Sequence, residues 1–206
     1  MEGFLHLIVT APSGCGKTTM VRALLEAMPE LVQSVSNTTR APRAGEVDGR
    51  DYHFVSHEAF DGMVAAGDLC EWADVHGQRY GTSMSRIRGA RETHRGIIFV
   101  IDVQGARQVK AAIPDAVAVM ILPPSWETLE VRLRTRATDS EESIARRLAN
   151  ARGEVSHYGL FDHLIVNDRL DVAVDELVGV VRASRARRLH RAARAEALLR
   201  APLHAR

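Results

Sequence analysis

Lysine is nearly missing from this sequence. Of 27 basic residues only Lys17 and Lys110 are lysines; the others are arginines. A single arginine is therefore weak evidence for a site, whereas a lysine in a recognisable setting is informative. Cysteine is as scarce: Cys15 and Cys70 are too few for a disulfide framework or a metal cluster. The nine histidines are scattered without metal-ligand spacing. Long apolar runs are absent too. The longest, Ala116 to Leu122, is far too short to cross a bilayer. Met1-Glu2-Gly3 lacks the basic start of a signal peptide. These absences predict a soluble, cytoplasmic protein without a membrane partner.

Net charge is only +1, but it is unevenly spread. Arg182 to Arg206 holds eight arginines against one acid, Glu196, a net +7 that leaves −6 on the rest. That balance argues against a basic face everywhere, so no nucleic-acid partner is expected. The arginine-rich end reads as a solvated helix face, with contact to RNA, an acidic partner or a sister subunit as the other readings. The composition itself, 46% hydrophobic and 26% charged over 206 residues, is that of one globular core domain with small inserted flaps.

Short apolar runs alternate with longer amphipathic stretches. Strands are expected at Phe4 to Val9, Val32 to Val35, Leu69 to Val75, Ile97 to Ile101, Val117 to Leu122 and Leu164 to Val166. Helices are expected at Lys17 to Ala27, His57 to Ala66, after Ser83 to about His94, after Ser125, after Ser140, and as one long final helix from Asp171. Ser56, Ser83, Ser125 and Ser140 are natural N-caps, and Gly67 is a natural stop. This alternation predicts an α/β protein with a parallel sheet flanked by helices. The exception, Thr38 to Gly81, has shorter elements and reads as an inserted subdomain. Arg132 to Ala151, crowded with arginine, reads as a helical flap.

Ala11-Pro12-Ser13-Gly14-Cys15-Gly16-Lys17-Thr18 lies between the first strand and the first helix. It is the pattern GxxxxGK[ST] with alanine for the first glycine. Successive backbone N–H groups in such a loop make an anion nest, and the helix N-terminus adds partial positive charge. Gly14 and Gly16 allow positive φ and close approach to phosphate. Lys17 is placed to reach β- and γ-phosphates, the Thr18 hydroxyl to ligate Mg²⁺, and Thr19 to reach an α-phosphate oxygen. Ser13 to Thr19, Cys15 included, are thus the candidate ATP-binding residues. Cys15 reads as structurally neutral and open to thiol reagents.

Three further segments carry chemistry. Ser34 to Tyr52 contains Ser36, Arg40, Arg43 and Tyr52; Glu71-Trp72-Ala73 follows; then Arg79-Tyr80-Gly81-Thr82. Read singly, the arginines are loop charges, the tyrosines core aromatics, and Glu71 an outward-facing strand residue. Jointly, and with the phosphate loop, they resemble the guanylate kinases from the first strand to about Asp168. The resemblance implies a P-loop NTPase-type sheet with an inserted nucleotide-acceptor subdomain (about 36–82), a helical lid (about 132–151) and a core of 1–35, 83–131 and 152–206.

By that resemblance Arg40, Arg43, Tyr52 and Tyr80 grip the GMP phosphate, while Ser36, Glu71 and Thr82 contact guanine. The chemistry is apt. Two guanidinium forks and two phenols suit a dianion. Guanine offers N1–H and an amino group side by side to one carboxylate, where adenine offers a bare acceptor. Asp102 matches an acid that acts on Mg²⁺ through water or orients an acceptor-side arginine; the plain alternative is a cap on the turn that follows. Lys17, Arg136 and Arg147 are the catalytic candidates, with Arg132 a further lid match. An ordinary surface helix explains the Arg132–Arg136 and Glu142–Arg146 spacings equally. Asn167-Asp168 matches a segment near the donor adenine. The sequence departs from the family at Ala11, at Val100, where an acid is usual, and at Ala137, where glycine is usual.

The implied function is Mg²⁺-dependent transfer of the ATP γ-phosphoryl group to GMP. ATP and GMP are then the partners, and a homo-oligomer is allowed. The alternatives are a kinase for another phosphorylated acceptor and a non-catalytic module of the same family.

Overall fold

The computed structural model describes residues 3–75, 77–135 and 140–201. The chain runs β1 (Leu5–Thr10), α1 (Lys17–Ala27), β2 (Leu31–Gln33), β3 (Asn37–Thr38), β4 (His53–Phe54) and α2 (His57–Ala65). It continues through β5 (Leu69–Val75), β6 (Gln78–Ser83), α3 (Met84–Thr93), β7 (Gly96–Val100), α4 (Val103–Ala112) and β8 (Val117–Leu122). It ends with α5 (Trp126–Arg134), α6 (Glu141–Val155), β9 (His163–Val166), α7 (Leu170–Arg185) and α8 (Arg188–Arg200).

The main sheet has the order β2-β7-β1-β8-β9, every pair parallel. Alternation on β1 explains its two covered faces. Leu5, Leu7 and Val9 belong to a core shared with α1, α5 and α7, through Met20, Leu24, Leu129, Leu133, Leu177 and Val181. Ile8 points the other way, into a core with Ile97, Phe99, Ile87 and Val109 from β7, α3 and α4. This is the expected α/β architecture, a parallel sheet between helical layers.

The smaller sheet has the order β4-β3-β6-β5. β5 and β6 form an antiparallel hairpin, β3 pairs antiparallel with β6, and β3 pairs parallel with β4. Phe60 of α2 is fully buried and meets the Trp72 ring edge-on, with centroids 6.3 Å apart. Gln108 ties this sheet to α4: its Oε1 accepts the Trp72 N–H at 3.0 Å and its Nε2 donates to the Trp72 carbonyl at 2.9 Å.

Helix starts are set by short polar side chains. Ser56, Ser83, Asp102, Ser125 and Ser140 each accept a backbone N–H three residues on, satisfying a donor that the helix leaves orphaned. Asp102 opens α4, a helix that the apolar patterning of the sequence does not predict. The long final helix is also corrected. It breaks at Ala186 and Arg187, and the latter is extended at φ −57°, ψ 145°. The break follows from partners outside the helix. Arg185 is ion-paired with Glu30, Arg191 Nε donates to the Arg185 carbonyl, and the Gly3 N–H donates to the His190 carbonyl at 3.0 Å. α8 thus lies across the start of β1, with His190 as its buried residue.

Asp162 joins β9 to the core. It accepts the Ala118 N–H at 2.8 Å and the Lys110 ammonium at 2.7 Å. Burial alone would raise its carboxyl, but Lys110 and the Ala118 N–H outweigh this and hold it below the usual aspartate value. A depressed carboxyl stabilises the fold above its unfolded value, and that contribution disappears as pH falls through the folded value. Asp162→Asn is expected to cost about 1 kcal/mol at pH 7, the size set by solvent screening of a partly exposed pair. Urea unfolding should show the gap between parent and variant closing as pH falls below the usual aspartate range.

Candidate active site

The loop from Ala11 to Gly16 leaves the end of β1 and enters α1. Gly14 and Gly16 have φ of +96° and +85°, as the loop requires. Neither tolerates a side chain. A Cβ on Gly14 would lie 2.9 Å from Leu129 and Leu133, and one on Gly16 would lie 2.6 Å from Asn167 Nδ2. Gly16 caps α1 without a side chain, so the first-turn N–H groups keep their capacity to bind an anion. Around them is a cavity of about 310 Å³, lined by Ser13, Gly14, Gly16, Lys17, Thr18 and Thr19, and by Asp102 and Glu154.

Cys15 departs from expectation. It is the one residue from Ser13 to Thr19 that does not line this cavity. Its N–H donates to the Pro12 carbonyl at 3.1 Å, and its side chain is wholly buried in the core of α1, α5 and α7. Burial pushes its thiol up to about 12, so it is closed to thiol reagents, not open to them.

Lys17 is deep in the cavity and donates to the Ile101 carbonyl at 3.5 Å. Burial lowers its amine, opposed first by Glu154 and then by Asp102. Asp102 uses Oδ1 to accept the Gly105 N–H at 2.8 Å, so the plain alternative of a turn cap is realised, in a residue that also faces the loop cavity.

Two side chains, Arg147 and Asn167, meet the loop, and Arg132 backs the second. Arg147 of α6 donates to Ser13 Oγ at 2.6 Å. Arg132 of α5 donates to the Asn167 carbonyl at 3.0 Å, and Asn167 Nδ2 donates to the Cys15 carbonyl at 2.8 Å. Arg136 lies outside the described residues, as does Ala137.

On the small sheet, Arg40 sits with its guanidinium carbon 5.4 Å from the Tyr52 ring centroid, and the Tyr52 and Tyr80 rings are 5.9 Å apart. Arg40 Nη2 donates to both oxygens of Glu46, at 2.8 and 3.0 Å. The Arg43 N–H donates to the same Glu46 at 2.8 Å, while the residue itself is exposed on the loop. Glu71 is buried on β5. Burial raises its carboxyl, Thr82 opposes this through hydrogen bonds, and Asp102 adds to it. Ser36 and Thr82 face each other, their hydroxyl oxygens 3.4 Å apart.

One carboxylate from each group reaches the N-terminus of α4. Asp102 caps it from the loop side, and Glu71 Oε2 lies 3.2 Å from where a Cβ on Gly105 would be. The chain is similar to known proteins across this whole arrangement. The family model described as guanylate kinase matches residues 5–184. The chain belongs to the guanylate kinase family. A guanylate kinase of Aromatoleum aromaticum is 54% identical over 187 residues, 91% of each chain. One of Chromobacterium violaceum is 51% identical over 180 residues, 87% of this chain and 86% of that protein. The crystal structure of a guanylate kinase from Anaplasma phagocytophilum superposes with a TM-score of 0.72 at 31% identity, over 92% of this chain and 90% of that one.

Two residues at this guanylate-kinase-like site escaped the sequence reading. Glu46 is one acid in a loop with several, and only the folded loop pairs it with Arg40 and Arg43. Glu154 lies in a stretch whose charge spacing suits a plain surface helix. Neither carried a sequence signal of its own. Cys70, like Cys15, is buried, and its thiol is pushed up to about 11. A chromogenic disulfide reagent at pH 8 is expected to find no fast thiol in the native protein and both cysteines once it is unfolded in guanidinium.

Proposed function

We propose that the protein transfers the γ-phosphoryl group of ATP to GMP, giving ADP and GDP, with Mg²⁺. The observation that carries this reading is the junction at α4. The carboxylate facing the loop cavity and the carboxylate fit for guanine stand at the two sides of one helix N-terminus. A donor phosphate in the nest and an acceptor nucleotide on Glu71 would thus be neighbours.

Ser13 to Thr19 hold the ATP phosphates, with Cys15 contributing backbone alone. Lys17 supplies charge toward the β- and γ-oxygens. Arg40, Arg43, Tyr52 and Tyr80 hold the GMP phosphate, Glu46 keeping Arg40 in place. Ser36, Glu71 and Thr82 read the base; Glu71 accepts from guanine N1–H and the exocyclic amine. Arg147, reaching Ser13 from α6, is suited to bridge phosphoryl oxygens, as is Arg136 by its match to the lid. The acceptor is already an anion, so no strong general base is needed. Catalysis is positioning and charge neutralisation.

The residues around the cavity fit Mg²⁺, which takes hard oxygen donors and keeps several waters. The Thr18 hydroxyl would hold it directly, and Asp102 through water. Held there, Mg²⁺ would supply positive charge to offset that of the phosphates. The small sheet (within 36–82) is read as the acceptor subdomain, and α6 with the end of α5 as the lid over the core.

A coupled ADP-release assay tests the reading, with GMP, dGMP and AMP as acceptors. GMP should be turned over well and AMP hardly at all; success with another acceptor and failure with GMP would refute it. Lys17→Ala is expected to lose about 1000-fold in kcat with the circular dichroism spectrum unchanged. Glu71→Gln should lose on the order of 100-fold in kcat/KM for GMP, because a charged, paired acceptor becomes a mismatched amide.

A further inference from the structure

Glu154 has no part in the mechanism above, yet its surroundings are those of a working group. It is on α6, about two turns beyond Arg147, so the helix that brings Arg147 to Ser13 also brings Glu154 to the loop. It lines the loop cavity and also the adjoining cavity of about 590 Å³, next to Asp102 in both. In the loop cavity it and Asp102 are the two lining carboxylates, and Asp102 commits Oδ1 to the Gly105 N–H. The described hydrogen bond of Lys17 goes to a neutral carbonyl, Ile101, and is long at 3.5 Å. A half-buried ammonium is stabilised by a counter-charge as well as an acceptor. Glu154 is the charge that acts most strongly on Lys17, and Lys17 the one that acts most strongly on Glu154.

We propose that Glu154 is a positioning residue: across the loop cavity that both side chains line, its carboxylate supplies the counter-charge for Lys17, and entering phosphates compete with it for that lysine. The inference rests on the reading of the loop as the ATP site. It gives Glu154 two opposed effects. It aims Lys17, which favours the chemical step, and it repels the triphosphate, which weakens binding. Removing its charge should therefore move affinity and turnover in opposite directions, an outcome that a packing role does not produce.

The test compares the full-length parent with Glu154→Gln, Glu154→Asp, Lys17→Met and the Lys17→Met/Glu154→Gln double variant. Titration calorimetry with ATP in EDTA should show Glu154→Gln binding about tenfold more tightly than the parent. Its kcat should fall about tenfold while its KM for GMP stays unchanged, and Glu154→Asp should lie between. Without nucleotide, Glu154→Gln should lower Tm in the parent but not in the Lys17→Met background, where the carboxylate has lost its partner. Equal Tm changes in both backgrounds overturn the proposal, as does an ATP affinity that is unchanged or weaker. If Glu154→Gln fails to fold, folding of the double variant supports the pair, and failure of both overturns it. The Tm comparison needs no acceptor, so it stands apart from the outcome with GMP. Parent protein that binds ATP but ignores GMP would refute the functional reading and leave this one intact.

Discussion

A single capping hydrogen bond, from the Gly105 N–H to Asp102, stands where the two halves of the cleft meet. It fixes the first turn of α4 only two residues after β7, which leaves little chain between strand and helix to absorb error. On one side of that turn is the phosphate loop with Lys17; on the other is Glu71, buried against Gly105. Asp102 and Glu154 thus share the loop cavity with Lys17, and Glu71 stands behind the turn. The arrangement is tolerable because each has a counterweight: the helix N-terminus for Asp102, Thr82 for Glu71 and Lys17 for Glu154. Phosphoryl transfer needs such crowding, since charge must be balanced at every stage of the movement.

Much of the fold was legible because its signals are local. A buried strand such as Val117–Leu122 is a pure apolar run, and Ser125 before Trp126 is a cap followed by an amphipathic stretch. α1 was readable to the residue, because Gly16 and Lys17 mark its start. β3 and β4 were not separable, since two residues carry no alternation. α4 was missed for a related reason: it follows an apolar run without a break and has Gly105 in its first turn. The α7–α8 break was illegible in another way. No glycine or proline marks it, and the Glu30 carboxylate that holds Arg185 is 155 positions away in the chain.

The site divides along the same line. Residues in the loop motif were readable one by one, because the backbone there has a single job. Cys15 shows the limit of that reading. Motif position says which residues touch phosphate through the backbone, but not which way a side chain turns, and this one turns into the core against Leu129 and Leu133. Arg40 was readable as a cation, but its tether Glu46 depends on the shape of a loop with no regular structure. Arg132 and Asn167 form a chain of contacts to the Cys15 carbonyl that spans α5, β9 and the loop.

The paired contacts between Gln108 and the backbone of Trp72 act as a peg between the small sheet and the core. Glu71 is the residue next to that peg. Arg40, two residues beyond the end of β3, lies two strands across the sheet from Glu71 and several residues further along it. A rocking of the small sheet about the peg therefore swings Arg40 and its tyrosines through a wide arc and leaves Glu71 almost still. The fulcrum lies beside the carboxylate proposed to read the base, and the long arm of the lever ends at the arginine proposed to hold the phosphate.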